Sequence, residues 1–277
     1  MVGLNTKLRD HTGIGIRSGP RVGIELEYEN CGRIRDHWDR QYWSMVHDPS
    51  LRNRGMEFVS GVLKPKDLYA AYNEVKRYIE EGHVSATKRC GVHVHLNASD
   101  LTYREVWNLL TLYALMEPTI FKQFADGREM SHFCVPMWAN THWVLGLADD
   151  VRRLRSPRAG HNQFNVHRCN KYSAINTAPL TILGSIEFRQ HPATKDMRRV
   201  HKWISLLLRI RSQALTYADP IDIIEEYDNR GRHNMCDKIG LDTCDVLKDD
   251  QEEAEDAAVI VAGYNPPQWQ ELEWEIN

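Results

Sequence analysis

Apolar and polar residues alternate over 21–29 (RVGIELEYE). In an extended chain this puts Ile24, Leu26 and Tyr28 on one side and Gly23, Glu25 and Glu27 on the other. The same period of two returns at 89–97 (RCGVHVHLN), where Val92, Val94 and Leu96 oppose Gly91, His93, His95 and Asn97. It returns again at 181–191, where Ile186 and Phe188 oppose Ser185, Glu187 and Arg189. Further strands are expected at 42–47, before the turn Asp48-Pro49-Ser50, and at 55–60 and 172–177. A helical period takes over at 66–81, with Leu68, Tyr72, Val75 and Ile79 on one stripe and Gly82 as the stop. Long helices are expected at 102–124, where Pro118 should kink or split the element, and at 195–217. Residues 127–163 read as an irregular connection, 220–241 as mixed, and the acidic stretch 249–256 as a solvated patch.

The resulting order is β-β-β-α-β-α-loop-β-β-α. Strands and helices do not alternate strictly, which argues against a doubly wound parallel sheet and for an α+β domain with a mainly antiparallel sheet. With 277 residues the chain can bury a sizeable core. There is no run of 18 apolar residues, so no membrane-spanning helix is expected, and the opening MVGLNTKLRD lacks the apolar stretch of a signal peptide. The six cysteines are scattered without a CxxC pair, which disfavours a zinc ribbon and fits reduced thiols in a cytoplasmic protein.

The formal net charge of -3 conceals an asymmetry. Residues 242–277 hold 11 acidic residues against one Lys, leaving a mildly basic body. The division expected is an entry segment at 1–20, a catalytic domain at 21–241 and an acidic C-terminal extension at 242–277. The near-neutral total argues against coating of nucleic acid through bulk positive charge, whereas a basic body suits an anionic ligand. The basic run Arg152–Arg158 fits contact with such a ligand as well as it fits a solvated loop. Trp138 and Trp143 fit packing under the 127–163 connection better than stacking on a ligand.

The candidate chemistry lies on the polar faces of the three alternating strands. Each carries charged or imidazole groups two residues apart: Glu25 with Glu27, His93 with His95, and Glu187 with Arg189. Any one pair also fits a wet sheet face or a hydrogen-bonded structural pair. Three of them at strand centres, with Gly23 and Gly91 permitting close approach, favour a metal site. Carboxylate oxygens with an imidazole suit Mg²⁺ or Mn²⁺, and clustered glutamates are costly unless a cation neutralises them. No P-loop and no Ser-His-Asp or Cys-His nucleophile signature is present.

The ordered segments GIELE at 23–27, DPSL at 48–51, GMEFVS at 55–60, CGVHVHLN at 90–97, KYSAIN at 171–176 and IEFRQHPAT at 186–194 resemble the amidoligases, carboxylate–amine ligases with a glutamine-synthetase-like catalytic fold. The resemblance implies a curved antiparallel sheet with helices on its outer face and the active site on the concave face. It implies ATP and two divalent metals, Mg²⁺ or Mn²⁺, as cofactors. Glu25, Glu27, Glu57, His93 and Glu187 match the metal ligands, and Glu57 is also counted in the catalytic set. His95 and Asn97 match the nucleotide side. Arg189 would hold a phosphate or the substrate carboxylate, and Asp48, Asn176 and Thr194 would support the substrate. Lys171 stands where the family usually has Arg, which keeps the charge and loses the bidentate fork.

The function implied is ATP-dependent formation of an amide or isopeptide bond through an acyl phosphate. Its partners would be a carboxylate and an amine, small or on a peptide or protein, with no membrane. A guanidino or amine kinase on the same sheet, a hydrolase using metal-bound water, and a binding module that has lost the chemistry remain the alternatives.

Overall fold

The computed structural model describes residues 5, 7–8, 18–32, 41–155 and 172–263. Among them six strands form one open antiparallel sheet: β1 (Val22–Tyr28), β2 (Trp43–His47), β3 (Met56–Ser60), β4 (Gly91–Asn97), β5 (Ile175–Asn176) and β6 (Ser185–Pro192), in the spatial order β2-β3-β1-β4-β6-β5. The α+β class and the antiparallel pairing match the sequence reading. The order also places β4 between β1 and β6, so the histidine strand lies between two glutamate strands.

The alternation seen in the sequence becomes two chemically distinct faces. Ile24, Leu26, Tyr28, Phe58, Val92, Val94, Leu96, Ile186 and Phe188 are fully buried and join one core with the helices. Each such side chain removed from water contributes about 1.5–3 kcal/mol. The helices are α1 (Leu68–Glu81), α2 (Tyr103–Phe124), α3 (Thr141–Arg155), α4 (Met197–Ala214), α5 (Pro220–Ile239) and α6 (Lys248–Ala262). α1, α2 and α4 supply Val75, Tyr113 and Trp203 to this side of the sheet, and among the described residues no helix covers the Glu- and His-bearing face in that way.

Local chemistry sets several helix ends. Thr102 caps α2 by accepting the Glu105 N–H, while Glu105 accepts the Thr102 N–H at 2.6 Å, so two otherwise orphaned donors are satisfied. Asp219 and Asp222 do the same for α5, with Pro220 in its first turn. Gly240 ends α5 at φ 61°, a left-handed conformation that glycine adopts without strain.

α2 passes through Pro118 as one element rather than two, with nearly its whole length buried. Two local expectations are corrected. Residues 141–155 form a helix, because Trp143, Val144, Leu147 and Ala148 bury one stripe; the neighbouring arginines obscure that stripe in the sequence. Residues 220–239 form a helix interrupted at Gly231, whose φ of 76° breaks the apolar period in the middle. The acidic stretch at 249–256 is solvated as expected, with Asp249, Glu252, Glu253 and Asp256 exposed, but on one side of α6, which packs chiefly on α2 and buries Ala257, Ala258 and Val261 in the same core.

One irregularity shapes the site. Between β4 and β6 the register slips, so that Arg189 and Gln190 together oppose His93. Such a bulge re-aims side chains. Gln190 turns to the Tyr113 hydroxyl, and the His191 ring lies 6.1 Å from Trp203 in the core. Strict alternation would have kept His191 beside Arg189.

Candidate active site

The polar face assembles seven groups from four strands. Across the β1–β3 ladder Glu27 faces Glu57; across β1–β4 Glu25 faces His93; and across β4–β6 His95 faces Glu187. Alternation placed all of these except Glu57, which the resemblance supplied, on polar faces, and the topology brings them together. Glu25 is the hub. Its carboxylate lies 3.2 Å from His93 Nδ1 and 3.0 Å from His95 Nε2. Burial alone would raise its pKa, but the bonds to His93 and His95 outweigh that and hold it well below the usual carboxylate range.

Glu27 accepts the Gly91 N–H at 2.7 Å and lies 3.7 Å from His93 Nε2. Glu187 lies 3.5 Å from His93 Nδ1, accepts from Arg189 Nη1 and accepts from Asn176 Nδ2 at 2.7 Å. Arg189 Nη1 also approaches His93 Nδ1 at 3.4 Å. His95 Nδ1 meets the Ser185 hydroxyl at 3.2 Å, and its charged form is favoured by Glu25 against the opposing effect of burial.

Glu57 shows what this crowding does. Burial, then the charges of Glu25, Glu27 and Asp48, push its carboxyl up to about 8. Carboxylates packed so closely cannot all ionise without a cation. Two overlapping donor sets converge: Glu25, His95 and Glu187, and Glu25, Glu57 and His93, with the ligand atoms of each set within 4.8 Å of one another. Oxygen donors with one imidazole per set fit a hard divalent ion such as Mg²⁺ or Mn²⁺. His95, expected on the nucleotide side, thus also stands in a possible ligand set.

The remaining expected residues fall into three groups. Asn176 stands directly behind Glu187, as a supporting residue would. Asn97 and Thr194 are engaged by their own loops. Asn97 Nδ2 donates to Gly19 O and Asp100, its Oδ1 accepts from Ser99, and Thr194 Oγ1 accepts the Asp196 N–H. Asp48 bonds Ser50 in its turn and reaches the site through its charge on Glu57. Lys171 and the side chains of the run Arg152–Arg158 lie outside the described residues, and so does most of the entry segment. Trp143 is buried in the core and Trp138 packs edge-on against Phe121 at 5.4 Å, so both serve packing. Cys90 is buried and its thiol is raised by burial, consistent with its exclusion as a nucleophile.

A cavity of about 280 Å³ opens over one end of the bed, lined by Gly23, Glu25, Ser60, His95, Asn97 and Ser185. Gly23 leaves that end open, since a Cβ there would already touch His95 Cβ at 3.4 Å. A larger cavity of about 690 Å³, beside Tyr72 and His201, lies among α1 and α4 residues and contains none of the clustered groups.

Two residues escaped the sequence reading as candidates. Ser185 was visible on the polar face but has an ordinary strand composition. Arg128 lies just past the end of α2, and its Nη1 donates to Cys90 O at 2.6 Å. No local pattern marks Arg128; only the fold brings it to the strand.

A family model described as "Putative amidoligase enzyme" matches residues 29–211. No curated protein matches the chain. Among solved structures, a bifunctional glutathione synthetase from Pasteurella multocida is similar at 9% identity and a TM-score of 0.36, over 93% of this chain and 50% of that one. The chain therefore spans half the length of that protein. A likeness of this size does not define the fold. Among the described residues no helix is long and apolar enough to cross a membrane.

Proposed function

Because the chain belongs to the amidoligase family, whose model covers residues 29–211, we propose that it is an ATP-dependent carboxylate–amine ligase built on a glutamine-synthetase-like sheet. The observation that carries this reading is the carboxylate bed, in which Glu25 bonds two histidines while Glu57, next to it, is pushed up to about 8. A cluster held in that state supports a place for divalent cations and, through them, for a polyphosphate.

In this reading Glu25, Glu27, Glu57, His93 and Glu187 hold Mg²⁺ or Mn²⁺, in two positions. When bound, the metal offsets the charge of the nucleotide phosphates. The chain's own residues do the rest. The open Gly23 end, lined by His95 and Asn97, receives the nucleotide. Arg189, anchored on Glu187, presents its planar fork to a phosphate or carboxylate oxygen, and Asn176 fixes Glu187 so that the fork keeps its aim. Lys171 is a further cation for the same anion. Asp48 and Thr194 would bound the substrate pocket.

The substrate carboxylate attacks the γ-phosphorus and ADP departs. The amine then attacks the acyl carbon of the acyl phosphate, inorganic phosphate leaves, and the amine loses a proton. Positioning and charge neutralisation supply the acceleration.

The test is ADP release with Mg²⁺ across panels of carboxylates and amines, with products identified by mass. Amine-dependent ADP release together with an amide product is expected. Turnover that survives Glu25→Gln with Glu187→Gln, or a phosphorylated amine without amide, overturns the proposal.

A further inference from the structure

Among the described residues two arginines are buried, Arg211 and Arg128, and only the first is ion-paired. Arg211 bonds Asp100 at 2.9 and 3.0 Å and also donates to Asn97 O. Arg128 is as well buried, at 7% exposure, yet among the described residues its guanidinium makes one hydrogen bond, from Nη1 to the Cys90 carbonyl, and has no carboxylate within ion-pair distance. Its Nε is enclosed and has no acceptor. A buried cation with an enclosed donor left idle is costly unless something else satisfies it.

Its placement shows where such a partner would lie. Gly127, at φ 80°, turns the chain back after α2 and starts the single helical turn that carries Arg128. The side chain then reaches over Gly91. A Cβ built on Gly91 would stand 3.3 Å from Arg128 Nη1 and 3.0 Å from His93 Nε2. Arg128 therefore sits on the polar face, at the end where Glu27 accepts the Gly91 N–H. Arg189 Nη1 approaches His93 Nδ1, while Arg128 Nη1 and His93 Nε2 both border the space over Gly91.

We infer that Arg128 is a second anion-binding arm of this site and that it takes an oxyanion, phosphoryl or carboxylate, at the Gly91 end. This rests on the ligase reading, in which two anionic substrates must meet over one set of carboxylates. Arg128 is the cation placed to receive the second of them without a competing carboxylate of its own.

The experiment titrates the full chain and its Arg128→Lys and Arg128→Gln variants by calorimetry, with inorganic pyrophosphate in Mg²⁺ and separately with glutarate. Melting temperature is recorded on the same samples. The expected result is that Arg128→Gln weakens one of the two probes by about tenfold or more, since a charge-assisted bond is lost. Arg128→Lys should keep the melting temperature by retaining the charge and a donor for Cys90 O, while binding that probe several-fold less tightly for want of the fork. Loss toward pyrophosphate identifies a phosphoryl group, and loss toward glutarate a carboxylate. The inference is overturned if the wild type binds neither probe, or if Arg128→Lys binds both as the wild type does. The ligase reading fails separately: Arg128-dependent anion binding without amine-dependent ADP release removes the ligase and leaves the anion arm.

Discussion

Glu27 and Glu57 face one another across the β1–β3 ladder, two carboxylates at directly opposed positions on one side of the sheet. Like charges in this relation destabilise a ladder. Glu27 is relieved by the Gly91 N–H and lies near His93, whereas Glu57 takes up a proton, its carboxyl pushed from about 4.5 to about 8 by burial and by Glu25, Glu27 and Asp48.

That proton has a sign. A carboxyl whose folded pKa is raised favours the folded state at low pH and loses that contribution as pH rises from about 4.5 toward 8. Metal-free protein should therefore become less stable to urea between pH 5 and pH 8 in steps that Glu57→Gln removes. Mg²⁺ or Mn²⁺ must displace the proton, so metal affinity should rise with pH over the same window. Calorimetry in buffers of different ionisation heat should show proton release on metal binding at pH 7. Absence of release would mean that Glu57 is not a ligand.

Glu25 behaves in the opposite way. Its bonds to His93 and His95 overcome burial and depress its pKa, so its contribution is present above about 4.5 and is lost as pH falls below it. Glu25→Gln should flatten the acid limb of the stability profile and, because Glu25 is shared by both donor sets, reduce metal affinity by at least about tenfold. Chemical denaturation from pH 3 to pH 7, with metal titration at pH 7, checks both.

Gly91→Ala should fold and fail. The new Cβ would meet His93 Nε2 at 3.0 Å and Arg128 Nη1 at 3.3 Å. Overpacking of this kind costs about 1–3 kcal/mol. The displaced groups belong to the polar face, so affinity for metal and for pyrophosphate should fall more than stability does. Comparing the urea midpoint with calorimetric affinity separates the two.

Asn176→Ala removes the donor that fixes Glu187 at 2.7 Å. Groups that orient metal-binding carboxylates are worth about 10–100-fold in affinity or activity. The expected outcome is a loss of that order with little change in melting temperature.

Glu117 tests the core beneath the site. It is fully buried in α2, accepts the Met137 N–H at 2.7 Å, and burial pushes its pKa well above the usual range in spite of that bond. Glu117→Gln should change stability by less than about 1.5 kcal/mol, because the neutral amide can still accept the bond. Glu117→Ala should cost about 2–5 kcal/mol from the cavity and the orphaned Met137 N–H. Urea unfolding distinguishes them.

The polar face was legible because a strand repeats every two residues. Glu25, Glu27, His93, His95, Glu187 and Arg189 could be assigned to faces from spacing alone, and the fully apolar opposite faces identified the buried side. Helices α1, α2 and α4 were legible for the same kind of reason. α3 and α5 were not, because a run of arginines masks the stripe of the first and Gly231 interrupts the stripe of the second.

By itself the sequence determined which side chains share a face, and hence that carboxylates, imidazoles and an arginine would line one side of an α+β sheet. Periodicity is a property of one strand, and it says nothing about neighbours. The tertiary structure alone decided that β4 lies between β1 and β6, which turns three separate pairs into one bed around Glu25. It alone decided the bulge after Arg189 that sends His191 to Trp203. It alone carried Arg128 to Gly91 from beyond the end of α2, through the backbone turn at Gly127 and a hydrogen bond to Cys90 O, because contacts between residues so far apart in sequence are set by packing and chain closure.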